Sequence, residues 1–223
     1  MTVVPNVYPF WSPEEIESAI RPGIAQLEAG RVLCYPTETV YGFGGAADER
    51  AVDSLVALKG RPRGKPFLLL ISGSEMLARL DLQLPTFAAA LAARHWPGPL
   101  TLVLPGGERR VPERLRGPEG GIAVRWTPHQ GLNRLLRVWG EPITSTSANR
   151  PGVPPAMVAS EIVEQWGDAL ARGKLRLLDA GRLEPSPPST VVDCTGERPR
   201  VIRPGAIAAA VLRESVPDLV GNT

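Results

Sequence analysis

Apolar residues along the chain follow two rhythms. Short runs of strand length recur at Arg31 to Tyr35, Pro66 to Ile71, Leu100 to Leu104, Ile122 to Trp126, Pro142 to Thr146, Lys174 to Asp179, Thr190 to Cys194 and Pro199 to Ile202. Elsewhere the spacing lengthens to that of a helix: Val52, Leu55, Val56 and Leu58 form one apolar stripe behind Asp48, a residue suited to capping. Ser12-Pro13-Glu14-Glu15 sets a capping serine, a proline at the first helical position and a glutamate three residues after the cap. This predicts a helix from about Pro13 to Glu28, ended by Gly30. Further helices are predicted near Ser74 to Leu80, Pro85 to His95, Gln130 to Trp139, Ala159 to Ala171 and Ala206 to Leu212.

Strands and helices mix without strict alternation, and the connections near 105–121 and 181–188 are long and rich in Pro and Gly. The pattern predicts one α/β domain of the α+β type, with a twisted sheet of mixed parallel and antiparallel strands flanked by helices. No internal repeat or linker divides it. The domain is expected over 13–212, with an N-terminal extension over 1–12 and a C-terminal tail over 213–223.

Composition narrows the function. With 43% hydrophobic residues the chain of 223 can bury a core, yet no stretch approaches the roughly 20 uninterrupted apolar residues of a membrane helix. The first ten residues lack a basic region and a long apolar segment, so a cytoplasmic location with no membrane partner is expected. Cys34, Cys194, His95 and His129 are the only residues of their types and none sits at metal-ligand spacing, so no structural metal is expected and the cysteines read as buried thiols. Two histidines and no G-x-S-x-G elbow also argue against a Ser-His-Asp hydrolase.

A net charge of +2, from 25 basic and 23 acidic residues, excludes a general polycation. Any cationic site must be local. Arg109, Arg110, Arg114 and Arg116 are interleaved with Glu108 and Glu113 and read as a solvated loop, whereas Lys59, Arg61, Arg63 and Lys65 have no acid among them. Glycine and proline hold that second segment out of helix and fix its charges, which suits a polyphosphate; a solvated loop at a helix C-terminus is the alternative.

Two other segments carry candidate chemistry. Thr37 to Gly45 (TETVYGFGG) reads as a polar, glycine-rich loop after a buried strand, where an α/β sheet opens to ligands and where hydroxyls and close backbone approach are on offer. It could equally be an ordinary turn. Its glycine spacing fits neither a Walker loop nor a G-x-G-x-x-G fingerprint. Ile143 to Gly152 (ITSTSANRPG) runs from a strand into clustered small polar residues that could hold phosphate or ribose, or could bond their own backbone. Arg125 lies inside an apolar run, so it needs a partner, either a ligand carboxylate or an internal Asp or Glu. Thr101, Ser189 and Arg203 sit at strand ends.

In order along the chain, PTETVYGFGG, KGRPRGKPF, WPGPLTLVL, IAVRW, STSANRPG, PSTVVD and VIRPG resemble the YrdC-like domain family, the L-threonylcarbamoyladenylate synthases, over about residues 13–212. Phe43 departs from the leucine commoner in that family at this place. The resemblance implies a basic concave cleft and the short, single-domain form, without the extra C-terminal domain of longer members. It implies a nucleotidyltransferase making L-threonylcarbamoyl-AMP and pyrophosphate from L-threonine, bicarbonate and ATP, with Mg2+ carried on the nucleotide. A downstream tRNA threonylcarbamoyl transferase would use the product. Lys59 and Arg61 match the family's K-x-R pair and are the expected catalytic residues; with Ser147 and Asn149, the S-x-N pair, they surround ATP. Thr101 and Arg203 are implied toward ATP, and Thr37, Arg125, Ser145 and Ser189 toward threonine. The competing readings are a module that binds double-stranded RNA or tRNA without catalysis, and a carbamoyl-transfer domain of the hydrogenase-maturation type.

Overall fold

Ser12 does begin a helix, because its Oγ accepts the Glu15 N–H at 3.2 Å while the Glu15 carboxylate takes the Ser12 N–H at 2.9 Å, so two orphan donors are satisfied. The computed structural model describes residues 4–60 and 66–221. Helix α1 spans Pro13–Glu28. Helix α2, Glu49–Lys59, is capped by Asp48 Oδ1 on the Ala51 N–H at 2.8 Å, and it stops where Gly60 turns left-handed at φ 60°. The remaining helices are α3 (Glu75–Arg79), α4 (Thr86–His95), α5 (Gln130–Trp139), α6 (Ala159–Ala171) and α7 (Ala209–Arg213). Among the described residues none is long and apolar enough to cross a membrane.

The strands are β1 (Val7–Pro9), β2 (Val32–Pro36), β3 (Tyr41–Gly44), β4 (Leu68–Ile71), β5 (Leu100–Leu104), β6 (Ile122–Trp126), β7 (Ile143–Ser147), β8 (Leu175–Asp179), β9 (Thr190–Asp193) and β10 (Arg200–Arg203). They form one mixed sheet in the order β1-β8-β2-β3-β7-β4-β6-β5-β9-β10. Strand β7 joins the halves, antiparallel to β3 on one side (Gly42 opposite Ser147) and to β4 on the other (Leu68 opposite Ser145).

Period-2 alternation divides each strand between two environments. In β4, β5 and β6 one set, including Leu69, Ile71, Leu100, Leu102, Leu104, Ile122 and Val124, packs with Met76 and Leu77 of α3 and Ala88 and Leu91 of α4. On the other face, Leu33, Tyr35, Leu70 and Ile143 are covered by α1 and by Leu132, Leu135 and Leu136 of α5. That cover ends beyond β4, leaving one face of the β6-β5-β9 region without a helix. A large cavity lies there.

Three features differ from the sequence-based expectations. The glycine-rich segment after β2 is not a loop throughout: Tyr41 to Gly44 returns as β3, antiparallel to β2, with Cys34 opposite Phe43. Its glycines let β7 approach closely, since a Cβ on Gly44 would fall 1.8 Å from the Thr144 carbonyl oxygen. Residues drawn as an N-terminal extension contribute an edge strand, because β1 pairs parallel with β8 and Phe10 is 1% exposed. Residues drawn as a tail pack too, with Val216 and Leu219 buried and the Val220 N–H bonded to the Pro199 carbonyl at 2.9 Å. Cys34 and Cys194 are both free and buried, in accord with their reading as packed thiols.

Candidate functional site

A cavity of about 1170 Å³ opens on the uncovered sheet face. Its floor is read off by alternation: Ser145 and Ser147 from β7, Leu68 and Leu70 from β4, Ala123 and Arg125 from β6, Thr101 and Val103 from β5, and Val191 from β9. Of the ten residues singled out from the sequence, Thr37, Lys59, Thr101, Arg125, Ser145, Ser147, Asn149, Ser189 and Arg203 all line it. Arg61 lies outside the described residues. The rim is built largely of Pro151, Pro154, Pro155, Pro185 and Pro188.

Lys59 is the last residue of α2 and only 7% exposed. Its Nζ crosses to the end of β7 and donates to Ser147 O at 2.6 Å, Asn149 Oδ1 at 3.1 Å and Thr146 Oγ1 at 3.3 Å. Asn149 Oδ1 also accepts the Ser147 hydroxyl at 2.6 Å, while its amide nitrogen donates to Val153 O at 2.6 Å. The lysine of one segment and the Ser-x-Asn of another, 88 to 90 residues apart, therefore form one bonded cluster. All three of these acceptors are neutral oxygens at the cavity wall.

Arg203 and Arg125 bring two guanidinium groups to the same cavity. Arg203 Nη2 donates to Ser189 O at 2.7 Å and to its Oγ at 2.9 Å, and Ser189 Oγ in turn shares a bond of 2.9 Å with Thr101 Oγ1. Burial and then the nearby Arg125 charge hold the Arg203 pKa below its ordinary value. Two like charges are tolerable in one hollow when an anion is to lie between them. Ser145 sits beside Gly42 on the floor. Thr37 is more self-contained: its Oγ1 donates to Val40 O at 2.7 Å and accepts the N–H groups of Thr39 and Val40, each at 3.2 Å. The hydroxyl thus shapes the 37–40 turn as well as facing the cavity.

Arg125 has the internal partner that the sequence left open. Its Nη2 donates to Glu38 Oε1, and Glu38 Oε2 accepts the Thr127 hydroxyl at 2.8 Å. Sequence reasoning assigned no role to Glu38 or Thr127, although Glu38 lies inside the 37–45 segment already singled out. Glu119 was missed as well; it is the one carboxylate lining the cavity among the described residues, on a tight turn closed by the Gly117 N–H on Gly121 O at 2.8 Å. Of the second basic cluster, Arg114 pairs with Asp53 at 2.6 Å and Glu49 at 3.2 Å, and Arg116 with Glu113 at 3.4 Å. The Arg114 pairs lie at the surface, whereas the Arg116 side chain is largely buried, unlike the solvated loop expected from the sequence.

No group of three His, Cys, Asp or Glu side chains that could hold a metal ion occurs among the described residues. A lone carboxylate, Glu119, lines the cavity among the described residues and does not by itself make a cation cage. No His or Cys lines the cavity among the described residues either. Cations, hydroxyls and an amide can bind and polarise a polyanion and an amino-acid carboxylate, with no protein nucleophile.

A family model for Sua5/YciO/YrdC, described as Telomere recombination, matches residues 25–205. The chain is 35% identical over 222 residues to a threonylcarbamoyl-AMP synthase of Pyrococcus abyssi, covering 98% of the chain and 62% of that relative. A threonylcarbamoyl-AMP synthase of Marinobacter nauticus is 36% identical over 172 residues, covering 76% of the chain and 88% of the relative. The solved structure of P. abyssi Sua5 complexed with L-threonine superposes with a TM-score of 0.86 at 32% identity, over 98% of the chain and 63% of that structure. The chain thus spans less than two thirds of the length of the Pyrococcus protein.

Proposed function

The chain belongs to the Sua5/YciO/YrdC family, and we propose that it is a nucleotidyltransferase that makes L-threonylcarbamoyl-AMP and pyrophosphate from L-threonine, bicarbonate and ATP, for tRNA modification. The observation that carries this reading is the bonded cluster of Lys59, Ser147 and Asn149 in a cavity shared with Arg125 and Arg203. At about 1170 Å³ the cavity exceeds the roughly 300–1,000 Å³ of most single-ligand pockets, which suits two substrates held side by side.

In the proposed reaction the threonine amine takes up bicarbonate as a carbamate, losing water. A carbamate oxygen then attacks the α-phosphorus of ATP, the α–β bridging bond breaks, and pyrophosphate leaves with the bond's electron pair. Negative charge grows on phosphate oxygens during that step. Lys59, with Arg61 beside it in sequence, is proposed as the catalytic pair that meets this charge; Ser147 and Asn149 orient Lys59 and offer further donors. Thr101 and Arg203 are assigned to ATP, and Thr37, Arg125, Ser145 and Ser189 to threonine. The Thr101–Ser189 hydrogen bond would then be the seam between the subsites. Mg2+ arrives with ATP. The packed unit runs at least from Val7 to Val220, wider than 13–212, and we propose it as one functional domain. The product is a reactive mixed anhydride, so a downstream tRNA threonylcarbamoyl transferase is the proposed partner.

Incubating the purified chain with L-threonine, labelled bicarbonate and ATP tests the proposal. Label in a threonine- and ATP-dependent mixed anhydride, with matching pyrophosphate, is expected. Pyrophosphate release that needs no threonine, or none under any condition, would reject it.

A further inference from the structure

We propose that Glu38 is a positioning residue of the amino-acid subsite: from behind the cavity wall it anchors Arg125, so that the guanidinium is held ready for the carboxylate of an α-amino acid. The inference deepens the assignment of Arg125 to threonine and rests on it.

Three observations carry it. First, the 37–39 turn divides its side chains: Thr37 and Thr39 line the cavity and Glu38 does not, whereas Arg125, its partner, does. The carboxylate therefore supports the arginine rather than occupying the ligand space. Second, both Glu38 oxygens are engaged by the same stretch of chain, Oε1 by Arg125 Nη2 and Oε2 by Thr127 Oγ1 at 2.8 Å. Residues 125 and 127 project to one side of an extended chain, so the carboxylate spans two successive same-face positions and has little freedom to turn. Third, the anchor is itself anchored. Thr127 is 0% exposed, its Oγ1 accepts the His129 N–H at 3.2 Å, its carbonyl accepts the Asn133 amide, and Asn133 Oδ1 accepts Trp126 Nε1 at 3.1 Å. The chain of bonds ends on α5.

Arg125 needs such support. Its side chain is 7% exposed, its Nε is buried without a hydrogen-bond partner, and among the described residues its one carboxylate is Glu38. A long side chain held at one nitrogen by a fixed carboxylate loses its rotamer freedom before the ligand arrives, which lowers the cost of binding.

The test is calorimetric titration of wild type, Glu38→Ala, Arg125→Ala and the double variant with L-threonine, with L-threonine amide, which lacks the carboxylate, and with ATP. Contacting residues commonly couple strongly enough for Glu38→Ala to weaken threonine binding by about tenfold or more, with ATP binding held within about twofold. Affinity for the amide should not change, and adding Glu38→Ala to Arg125→Ala should have no further effect. Thr127→Val, which removes the second hydrogen bond and keeps the volume, should weaken threonine a few-fold in the same selective way and serves if Glu38→Ala fails to fold. Unchanged threonine binding in the variants, equal losses for threonine and ATP, or a full Glu38 effect without Arg125 would each overturn the positioning role alone. A wild-type chain that binds no threonine would overturn it together with the proposed function.

Discussion

Gly44→Ala should damage the site without touching it. A Cβ built on Gly44 lies 1.8 Å from the Thr144 carbonyl oxygen and 2.6 Å from Tyr35 Oη. Carbon and oxygen normally rest about 3.3 Å apart or more, so β3 and β7 must separate by roughly 1.5 Å. Neither obstacle can swing aside: one is backbone, and Tyr35 Oη is fixed by its own bond to Thr144 O at 3.0 Å. The separation stretches the Thr144 N–H bond to Gly45 O at 2.8 Å and the Gly45 N–H bond to Thr144 Oγ1 at 3.0 Å, all buried. Overpacking costs about 1–3 kcal/mol and each buried group left unpaired about 1–3 kcal/mol, so a loss of roughly 3–5 kcal/mol is expected. At about 2–4 °C per kcal/mol for a chain of this size, the melting temperature should fall by on the order of 10 °C. Because β7 carries Ser147, and an error of about 1 Å in a catalytic group can cost about a hundredfold, turnover should fall in the surviving folded fraction as well. Differential scanning calorimetry and pyrophosphate release at a temperature well below the transition check both. Gly167→Ala is the control, since a Cβ there meets nothing within 4 Å and alanine favours a helix. A Gly44→Ala protein that melts within 2 °C of wild type and turns over normally would refute the close-approach argument.

Lys59→Ala should lower turnover by about a hundredfold or more, the size of effect that single electrostatic donors have elsewhere, and near-normal pyrophosphate release would reject its role. Acidification should destabilise the fold through the histidines. Burial holds His129 below its ordinary value of 6.5, and its neutral Nδ1 accepts the Leu132 N–H at 3.2 Å as the cap of α5. The unfolded chain takes up that proton first, so stability present above pH 6.5 is lost as pH falls through it, and half-buried His95 shifts in the same direction. The urea midpoint should drop between pH 7.5 and 5.5 and drop less in His129→Asn, which still caps; a midpoint that rises on acidification would contradict this. Cys34 and Cys194 should resist a thiol reagent in the native chain, because burial raises both thiols, Cys194 to about 12. Rapid labelling of either without denaturant would show that the packing is wrong.

Sequence reasoning recovered the elements whose limits are written locally. Leu100–Leu104, Ile122–Trp126, Gln130–Trp139 and Ala159–Ala171 have the predicted bounds, with Pro99, Pro105, Gly121, Gly140 and Gly173 at or near their ends. It lost β3, whose four residues include Gly42 and Gly44 and which is a strand only because β2 and β7 flank it. It lost β1 for the same reason, since three residues at a sheet edge carry no period. The candidate site was legible as segments, not as geometry. Nothing local says that Lys59 reaches Ser147, or that Glu38 rather than a ligand answers Arg125 across 87 positions. Pairings over that distance are set by the sheet order, which the apolar pattern does not encode.

The distribution of charge accounts for a cationic hollow in a molecule of net charge +2. Away from the cavity, arginines meet carboxylates: Arg94 with Glu214, Arg114 with Asp53 and Glu49, and Arg134 with Glu17. Such exposed pairs contribute little stability, but they cancel the surface field. At the cavity the balance differs. Glu38 answers Arg125 from behind the wall, whereas Arg203 rests on neutral oxygens of Ser189, and among the described residues Glu119 is the one carboxylate lining the cavity. A concave wall of low dielectric strengthens what remains, so a field that is weak at the outer surface becomes attractive to polyanions inside. Salt at about 0.15 M screens exposed charges beyond about 8 Å but acts less on buried ones. Anion binding in the cavity should therefore survive ionic strengths that abolish attraction to the surface, and that difference, more than total charge, separates a nucleotide site from a nucleic-acid coat.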